Sequence, residues 1–410
     1  MIQETQKTLL KTWPLFFGIA MLMIGNGLQG TLLGVRAGIE NFSVITTGVI
    51  MSAYYIGFLF GSYKVPHFIA SVGHIRVFAA LASLASTTVL IHGVLVDPVA
   101  WIPVRLLSGF AFAGLFLVVE SWLNDASTNN TRGMIMGVYM VTTYLGMAFG
   151  QGLLNFASPS DIELFIVTSV LVSLALLPIS LSSRPAPDFS TSETIWISTI
   201  WRRSPLGIMG VILSGLTSAI IFSIGPVFAL DIGLSNAMIS GFMASFLIGS
   251  VGCQMPVAWI SDRMDRRKMI IILGALSFIA TSCLFVVEGI APWITFVIMG
   301  FLGAACLPIY GQSISHVNDH LSPRQFVAAS GTLLLLNGCG AAFGPLLVTF
   351  FMQGFGANGF IILLLAGYGS LILFGIYRSY RTESVPLEDQ SDTVLMPARG
   401  SIIQAYNDED

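Results

Sequence analysis

One basic residue lies inside a strongly apolar stretch of the sequence and is the first candidate for chemistry. Arg105 follows the start of the apolar run 99–121 by about seven residues, which places it roughly 10 Å deep if the run is a helix that crosses a bilayer. A charge at that depth must face protein or water, so Arg105 is a candidate substrate-binding residue. The alternative is a structural arginine that bonds the carbonyls of a nearby loop.

Carboxylates are absent from the middle of every apolar run of the sequence, and the deepest is Glu120, at the end of the run that holds Arg105. A cavity with a cation and no nearby carboxylate indicates that the substrate or a counter-anion brings negative charge. Other substrate-binding candidates are polar side chains within apolar runs. They are Asn26, Gln29, Tyr54, Tyr144, Tyr310 and Asn337. Each could equally serve ordinary hydrogen bonding between helices.

The runs that carry these residues have the length and composition of membrane spans. Hydrophobic residues make up 55% of the chain and charged residues 10%, whereas soluble domains carry about 25% charged residues. Twelve windows are long enough to cross the hydrocarbon core as helices. They are 13–34, 44–66, 76–95, 99–121, 133–156, 162–182, 205–230, 236–260, 269–288, 291–314, 325–352 and 358–379. The sequence therefore predicts an all-α membrane protein with twelve transmembrane helices.

The charges between these spans predict an orientation. Of the 18 Lys and Arg residues, all except Arg36 and Arg105 fall on one predicted side, together with both termini. The loops of the other side are acidic. They carry Glu40, Asp97, Asp161, Glu163, Asp231 and Glu288. Because basic residues accumulate on the cytoplasmic side, we expect a multi-pass protein of a bacterial inner membrane with both termini in the cytoplasm.

A glycine spacing occurs twice, about half a chain apart. Gly137, Gly146 and Gly150 are repeated 194 positions later as Gly331, Gly340 and Gly344. Such repeats are how transporters place a substrate site between two halves. The predicted division is a six-helix bundle at 1–182, a linker at 183–204, a second six-helix bundle at 205–380 and a disordered cytoplasmic tail at 381–410. A short amphipathic helix is expected within the linker, near 195–201.

The stretch from Ala258 to Arg267 resembles the loop signature G-x-L-x-D-R-x-G-R-R of the major facilitator superfamily, with Ala258 and Asp265 in place of glycines. The resemblance implies the fold of that superfamily, with two pseudo-symmetric six-helix bundles that work by alternating access. It also implies a cytoplasmic latch in which Asp262, with Arg263 and Arg267 in the same loop, caps a helix of the other half. A simple topology charge is the alternative reading of Asp262.

The latch is expected to face the start of the fifth span, near Arg132. The corresponding loop after the second span keeps only Gly73 and Arg76 of the signature. That loop therefore departs from the superfamily pattern, in which the first-half copy is usually the stronger one.

A narrower resemblance is to the bacterial transporters typified by YcaD. It is carried by the stretch Val118-Val119-Glu120-Ser121, by Arg132-Gly133, and by Gly146 and Gly150 followed by Gln151. In this setting Glu120, Arg132 and Arg76 are expected to form a charge relay that breaks when the cavity opens inward. A proton site at Glu120 is the alternative.

The glycine spacing itself resembles the G-x8-G-x3-G-P motif of drug/proton antiporters. Gly340, Gly344 and Pro345 match it, whereas Gln151 replaces the proline after Gly146 and Gly150. Glycines four residues apart share one helix face and allow close backbone approach, and Pro345 can bend its helix because it lacks an amide donor. We expect span 5 to pair with span 8, and span 2 with span 11, across the two halves. Glycine-mediated packing without antiport is the alternative.

These observations favour secondary active transport of a small organic solute, with efflux by proton antiport as the first hypothesis. Import of a small anionic or zwitterionic compound is the second, and a non-transporting receptor or assembly factor is the third. An enzyme is not expected, because the sequence contains no P-loop, metal-ligand cluster or nucleophile arrangement at membrane depth, and its four cysteines suit a core. The expected partners are the solute, protons and the lipid bilayer. No cofactor and no nucleic acid is expected, and the protein is expected to be a monomer.

Overall fold

The computed structural model describes residues 2–128, 131–180, 195–286, 291–322, 325–381, 383–391 and 393. These residues form fourteen α-helices. The helices are α1 Ile2–Ile39, α2 Val44–Val72, α3 His74–Val94, α4 Pro98–Asp125, α5 Arg132–Leu153, α6 Glu163–Ser180, α7 Ile197–Arg203, α8 Pro205–Asp231, α9 Asn236–Ser261, α10 Arg266–Cys283, α11 Pro292–Cys306, α12 Pro308–Asn318, α13 Phe326–Phe355 and α14 Asn358–Arg381.

Within the described residues, twelve stretches are long and apolar enough to cross a membrane, as the sequence predicted. One prediction needs correction, because the tenth span is two helices, α11 and α12, that meet at Leu307. Pro308 has no amide N–H to donate to the preceding turn, so one helical hydrogen bond is missing where α12 begins. The short helix predicted in the linker is α7, and positions 183–194 of the linker lie outside the described residues.

The two halves repeat the same close helix contacts. A Cβ atom added to Gly109 of α4 would collide with the carbonyl of Tyr54 in α2. One added to Gly303 of α11 would collide in the same way with the carbonyl of Phe246 in α9. The paired positions differ by 194 (303 minus 109) and 192 (246 minus 54). The internal repeat is therefore also a structural repeat, with the α2–α4 contact of the first half reproduced by the α9–α11 contact of the second.

The glycines of the repeated spacing pack differently from the expectation. Gly150 of α5 lies against the carbonyl of Ile24 in α1, and Gly340 of α13 lies against that of Ile212 in α8. Gly146 and Gly344 continue the same two contacts. These glycines therefore join helices within one half, so the expectation that their faces meet across the halves is wrong. Close backbone approach is most useful where two helices remain packed, which is inside a rigid bundle.

The predicted pairing of the spans across the halves is present. α5 packs on α9, and α2 packs on α13. At the α2–α13 contact a Cβ atom on Gly48 would collide with the side chain of Thr349, and one on Gly338 would collide with the side chain of Leu59. α13 is continuous through Pro345, and Thr349 Oγ1 donates to the Pro345 carbonyl at 2.9 Å.

The two ends of the helix bundle differ in charge. The end at which α2 is followed by α3, and α9 by α10, carries Lys64, Arg76, Arg263 and Lys268, and is called the basic end here. The opposite end carries the turns that follow α1, α3 and α5.

Candidate functional site

A small cavity lies between the two halves. Helices α1, α2, α4 and α5 line one side, and α8 and α9 line the other. Its lining side chains and glycines are Asn26, Gly27, Gly30, Thr31, Tyr54, Tyr55, Arg105, Met147, Gln151, Phe222, Ser223 and Met243. The mixture of apolar walls with a few convergent polar groups is typical of a small-molecule site.

Among the described residues that line the cavity, Arg105 is the only charged one. Its side chain comes from α4 and is 4% exposed. The guanidinium carbon lies 4.4 Å from the centroid of the Tyr54 ring, and one terminal nitrogen lies 3.9 Å from the sulfur of Met51. An arginine stacked on an aromatic ring keeps its charge and presents its donors in a fixed plane. The cavity is therefore suited to an anionic group.

Gln151 binds both halves of the protein. Its side-chain oxygen accepts a hydrogen bond from Thr31 at 2.6 Å, and its side-chain nitrogen donates to the Gly27 carbonyl at 2.9 Å. Its backbone carbonyl accepts a hydrogen bond from Ser240 of α9 at 2.7 Å. The sequence analysis used Gln151 in the resemblance to the YcaD-like transporters and as a departure from a proline motif, but not as a binding residue. The signal that could have identified it is a large amide, in place of an apolar residue, one position after a packed glycine.

A second hydrogen bond joins the halves near the cavity, because the Tyr55 hydroxyl lies 3.2 Å from Ser223 Oγ of α8. Close packing continues toward the opposite end, where a Cβ atom on Gly34 would touch Pro226 at 3.3 Å. These contacts hold the two halves together on the side of the opposite end. Neither Tyr55 nor Ser223 was among the predicted binding residues, since both lie in spans that are apolar on every side.

Some of the remaining predicted binding residues line the cavity, and others lie elsewhere. Asn26 and Tyr54 line the cavity with Arg105, whereas Gln29 does not. Asn337 also lies elsewhere, and donates to the Val211 carbonyl at 3.1 Å and to Ser214 at 3.2 Å. Its amide therefore holds α13 against α8, which is the ordinary interhelical role that the sequence left open.

Tyr144 and Tyr310 belong to a second polar cluster, between the cavity and the basic end. Glu120 is the centre of this cluster, is 3% exposed and accepts a hydrogen bond from the Tyr139 hydroxyl at 2.9 Å. Tyr310, from the other half, interacts electrostatically with Glu120 and Tyr144. Within the described part of the twelve spans, Glu120 is the only carboxylate that is buried.

The predicted charge relay is not assembled in this conformation. Arg76 is exposed at the start of α3, and none of the ion pairs in the described parts of the chain joins Arg76 or Arg132 to Glu120. Glu120 faces Tyr139 instead. At the same end, His74 lies 3.0 Å from the Ser121 hydroxyl and so ties the start of α3 to α4.

The loop that resembles the superfamily signature forms a charge cluster at the basic end. Arg266 is 1% exposed in its side chain and lies 3.5 Å from Asp262 and 3.4 Å from Asp319. Burial raises the pKa of Asp319, although Arg266 and hydrogen bonds from Ser391 oppose that rise. Sequence reasoning named the neighbours of Arg266 and omitted Arg266 itself, although it stands within the signature.

The two arginines that were predicted as gate residues have local partners. Arg263 is exposed, and its guanidinium carbon lies 4.0 Å from the centroid of the Trp259 ring. Arg267 forms a 2.8 Å ion pair with Asp265. Burial acts to raise the pKa of Asp265, but hydrogen bonds from the Arg267 side chain and backbone N–H outweigh it, so the pKa is lowered.

The Asp262 latch is not closed on the other half in this structure. Among the described residues no ion pair joins Asp262 to Arg132. Asp262 instead contacts Arg266 and Thr393. Thr393 follows the last helix, so the chain after α14 returns to the end of α9.

Comparison with known proteins places the chain in a family. The Major Facilitator Superfamily profile matches residues 15–252 and 206–401. The chain is 25% identical over 383 residues to an uncharacterized MFS-type transporter of Yersinia pestis (strain Pestoides F), a match that covers 91% of this chain and 96% of the relative. It is 24% identical over 375 residues to the uncharacterized MFS-type transporter YcaD of Escherichia coli O17:K52:H18, covering 89% and 94%. The chain belongs to the Major Facilitator Superfamily and is a multi-pass membrane transporter, not an enzyme.

Solved structures share the fold. The crystal structure of the nucleoside transporter NupG superposes with a TM-score of 0.74 at 14% identity, over 91% of this chain and all (100%) of that one. A bacterial homologue of the human lysosomal transporter Spinster, in an inward-facing and unoccupied conformation, superposes with a TM-score of 0.66 at 12% identity, over 95% and 98%. The predicted fold of two related six-helix bundles is confirmed.

Proposed function

We propose that this protein is a secondary active transporter that moves a small solute with an acidic group by alternating access. The observation that carries the proposal is the position of Arg105, a buried charged residue that lines a cavity between the halves. A buried guanidinium that faces a cavity offers fixed, charged donors to an acidic group of a solute. Tyr54, Tyr55, Gln151 and Ser223 add hydrogen-bonding groups that would orient the rest of the solute.

We further propose that transport is coupled to protons through Glu120. A carboxylate is costly to hold in its charged form at a buried membrane position, and it can bind a proton instead. Glu120 lies between the cavity and the basic end, and Tyr310 of the other half belongs to the same cluster. A movement of one half relative to the other would therefore change the groups that surround the Glu120 carboxylate.

For direction, efflux in exchange for protons is the first candidate, because Gly340, Gly344 and Pro345 repeat the antiporter spacing. Import of an anionic or zwitterionic metabolite is the second candidate, because Arg105 lines the cavity. Both place the protein in a bacterial inner membrane, with the basic end in the cytoplasm.

Counterflow in proteoliposomes tests the function. Ligands would first be selected by thermal shift of the purified protein with a panel of carboxylates and phosphates. Transport of each ligand would then be measured with and without a pH gradient, while an internal dye reports proton movement. Solute and proton movement in opposite directions would establish antiport, and movement in the same direction would establish import by symport. Counterflow that a gradient of either sign leaves unchanged would remove proton coupling.

Replacing Glu120 by glutamine is expected to remove the coupling to protons and to leave solute exchange across the membrane largely unchanged. The amide has nearly the same shape and its oxygen can still accept from Tyr139, but it cannot bind and release a proton. We expect counterflow without a gradient to stay within about twofold of wild type, while accumulation driven by a pH gradient falls at least about tenfold, as for the loss of other acid–base groups. Tyr139→Phe is the matched control, because it removes the hydrogen bond and leaves the carboxyl group. Unchanged gradient-driven accumulation in Glu120→Gln would contradict the assignment.

A further inference from the structure

At the basic end, two carboxylates of the second half bind a segment that follows the last helix. Asp319 accepts hydrogen bonds from the Ser391 backbone N–H at 2.9 Å and from the Ser391 hydroxyl at 2.8 Å. Asp262 accepts from the Thr393 backbone N–H at 3.1 Å and from the Thr393 hydroxyl at 2.5 Å. Each carboxylate therefore receives one backbone and one side-chain hydrogen bond from the same segment.

Arg266 joins the two carboxylates into one site. Its guanidinium lies between Asp262 and Asp319 and also donates to the Ser391 carbonyl. The side chains of Arg266 and Asp319 are 1% and 2% exposed. The three residues come from the end of α9, the start of α10 and the turn after α12, so the packed helices fix their relative positions. Ser391 thus meets a preformed set of donors and acceptors.

We propose that Ser391 and Thr393 act as an internal ligand of the Asp262–Arg266–Asp319 cluster and, by occupying Asp262, favour the conformations in which the basic end is open. The proposal rests on the alternating access of the proposed function and on the latch role that the superfamily resemblance implies for Asp262. It depends on neither the substrate nor the coupling ion.

The physical basis is competition for one carboxylate. A latch to the first half would use Asp262 to accept hydrogen bonds from the free N–H groups at a helix start. Thr393 offers a backbone N–H of the same kind, with a hydroxyl in addition, to the same oxygen atom. Oδ1 of Asp262 already faces Arg266 and both Thr393 donors, so the donors of a helix start can reach this oxygen only by displacing Thr393. Hydrogen bonds to a charged acceptor are among the stronger ones in proteins, so their loss should shift the balance between the two states measurably.

Distance measurements across the basic end test the proposal. Spin labels would be attached to Lys64→Cys in α2 and Lys268→Cys in α10, which are exposed and lie in different halves. The full chain would be used, with Cys253, Cys283, Cys306 and Cys339 replaced by alanine or serine. In the double variant Ser391→Ala/Thr393→Val, we expect the ratio of short to long distances to rise about three- to tenfold, the effect expected for losing hydrogen bonds to a charged group at a partly exposed site.

Thr393→Ser is the matched control, because it keeps the hydroxyl and should leave the distribution as in the unmodified segment. An unchanged ratio in the double variant, or a shift toward longer distances, would overturn the proposal. A failure of the proposed function has a different signature. If the protein does not alternate between two states, a single spin-label distance would persist in all variants and with every added solute. If only the role of Ser391 and Thr393 is wrong, short and long distances would both be present, and their ratio would change with added solute but not with substitutions at Ser391 and Thr393.

Discussion

Replacing Arg105 with alanine is expected to weaken strongly the binding and transport of any acidic solute that the protein recognises. The guanidinium is buried against Tyr54 and is the one cation of the cavity lining. Removing one member of a buried, hydrogen-bonded charge pair typically costs about 2–5 kcal/mol. The expected loss of affinity is therefore roughly 30-fold or more.

The measurement is the dissociation constant of a ligand from the thermal-shift panel, taken with the ligand and with its uncharged amide or ester. Wild type should discriminate strongly between the two forms, and Arg105→Ala should bind both weakly and alike. Arg105→Lys should fall between them, because lysine keeps the charge and loses the planar set of donors. Arg36→Ala is the matched control, since Arg36 forms an ion pair with Glu40 at the opposite end. Retained preference for the charged ligand in Arg105→Ala would refute the assignment.

Replacing Gly303 with valine is expected to destabilise the second half strongly. A Cβ atom at this position would collide with the carbonyl of Phe246, so α9 and α11 would have to move apart along their whole contact. Overpacking of a close contact costs about 1–3 kcal/mol and sometimes more. The upper end of that range applies to Gly303→Val, because the colliding atom is the backbone oxygen of Phe246, which cannot move away by a change of rotamer.

The yield of monodisperse protein and its melting temperature measure this effect. Gly252→Val in α9 is the control, because a Cβ atom there has nothing within 4 Å. The structural repeat makes a second prediction from the same argument, that Gly109→Val damages the first half equally through the carbonyl of Tyr54. Equal melting temperatures for Gly303→Val and Gly252→Val would show that the described α9–α11 contact is wrong.

The parts of the molecule that could be predicted are those that a local pattern encodes. A run of about twenty apolar residues has few options other than a membrane helix, because the backbone must satisfy its hydrogen bonds internally in lipid. The broken tenth span was missed because an apolar run looks the same with one proline in it, although Pro308 was visible.

The candidate site was predicted only in part. Arg105 stood out because charge is rare inside a span, and Asn26 and Tyr54 were found with it. Tyr55, Gln151 and Ser223 were not, and Asn337 was predicted to bind substrate although it bonds α8 in the structure. In a helix that is apolar on every side, the sequence carries no strong sign of which face meets lipid, a neighbouring helix or a cavity.

The sequence by itself determined the membrane class, the twelve spans and the duplicated halves. The length of an apolar run and the spacing of repeated glycines can be read from the chain, whichever way the helices pack. Only the tertiary structure decided which polar groups converge on the cavity and which partners the charges at the basic end take. Asp262 illustrates the difference: its motif is legible in the chain, but its contact with Thr393 joins positions 131 residues apart. A contact of that kind depends on how whole helices rotate and pack, which no local spacing specifies.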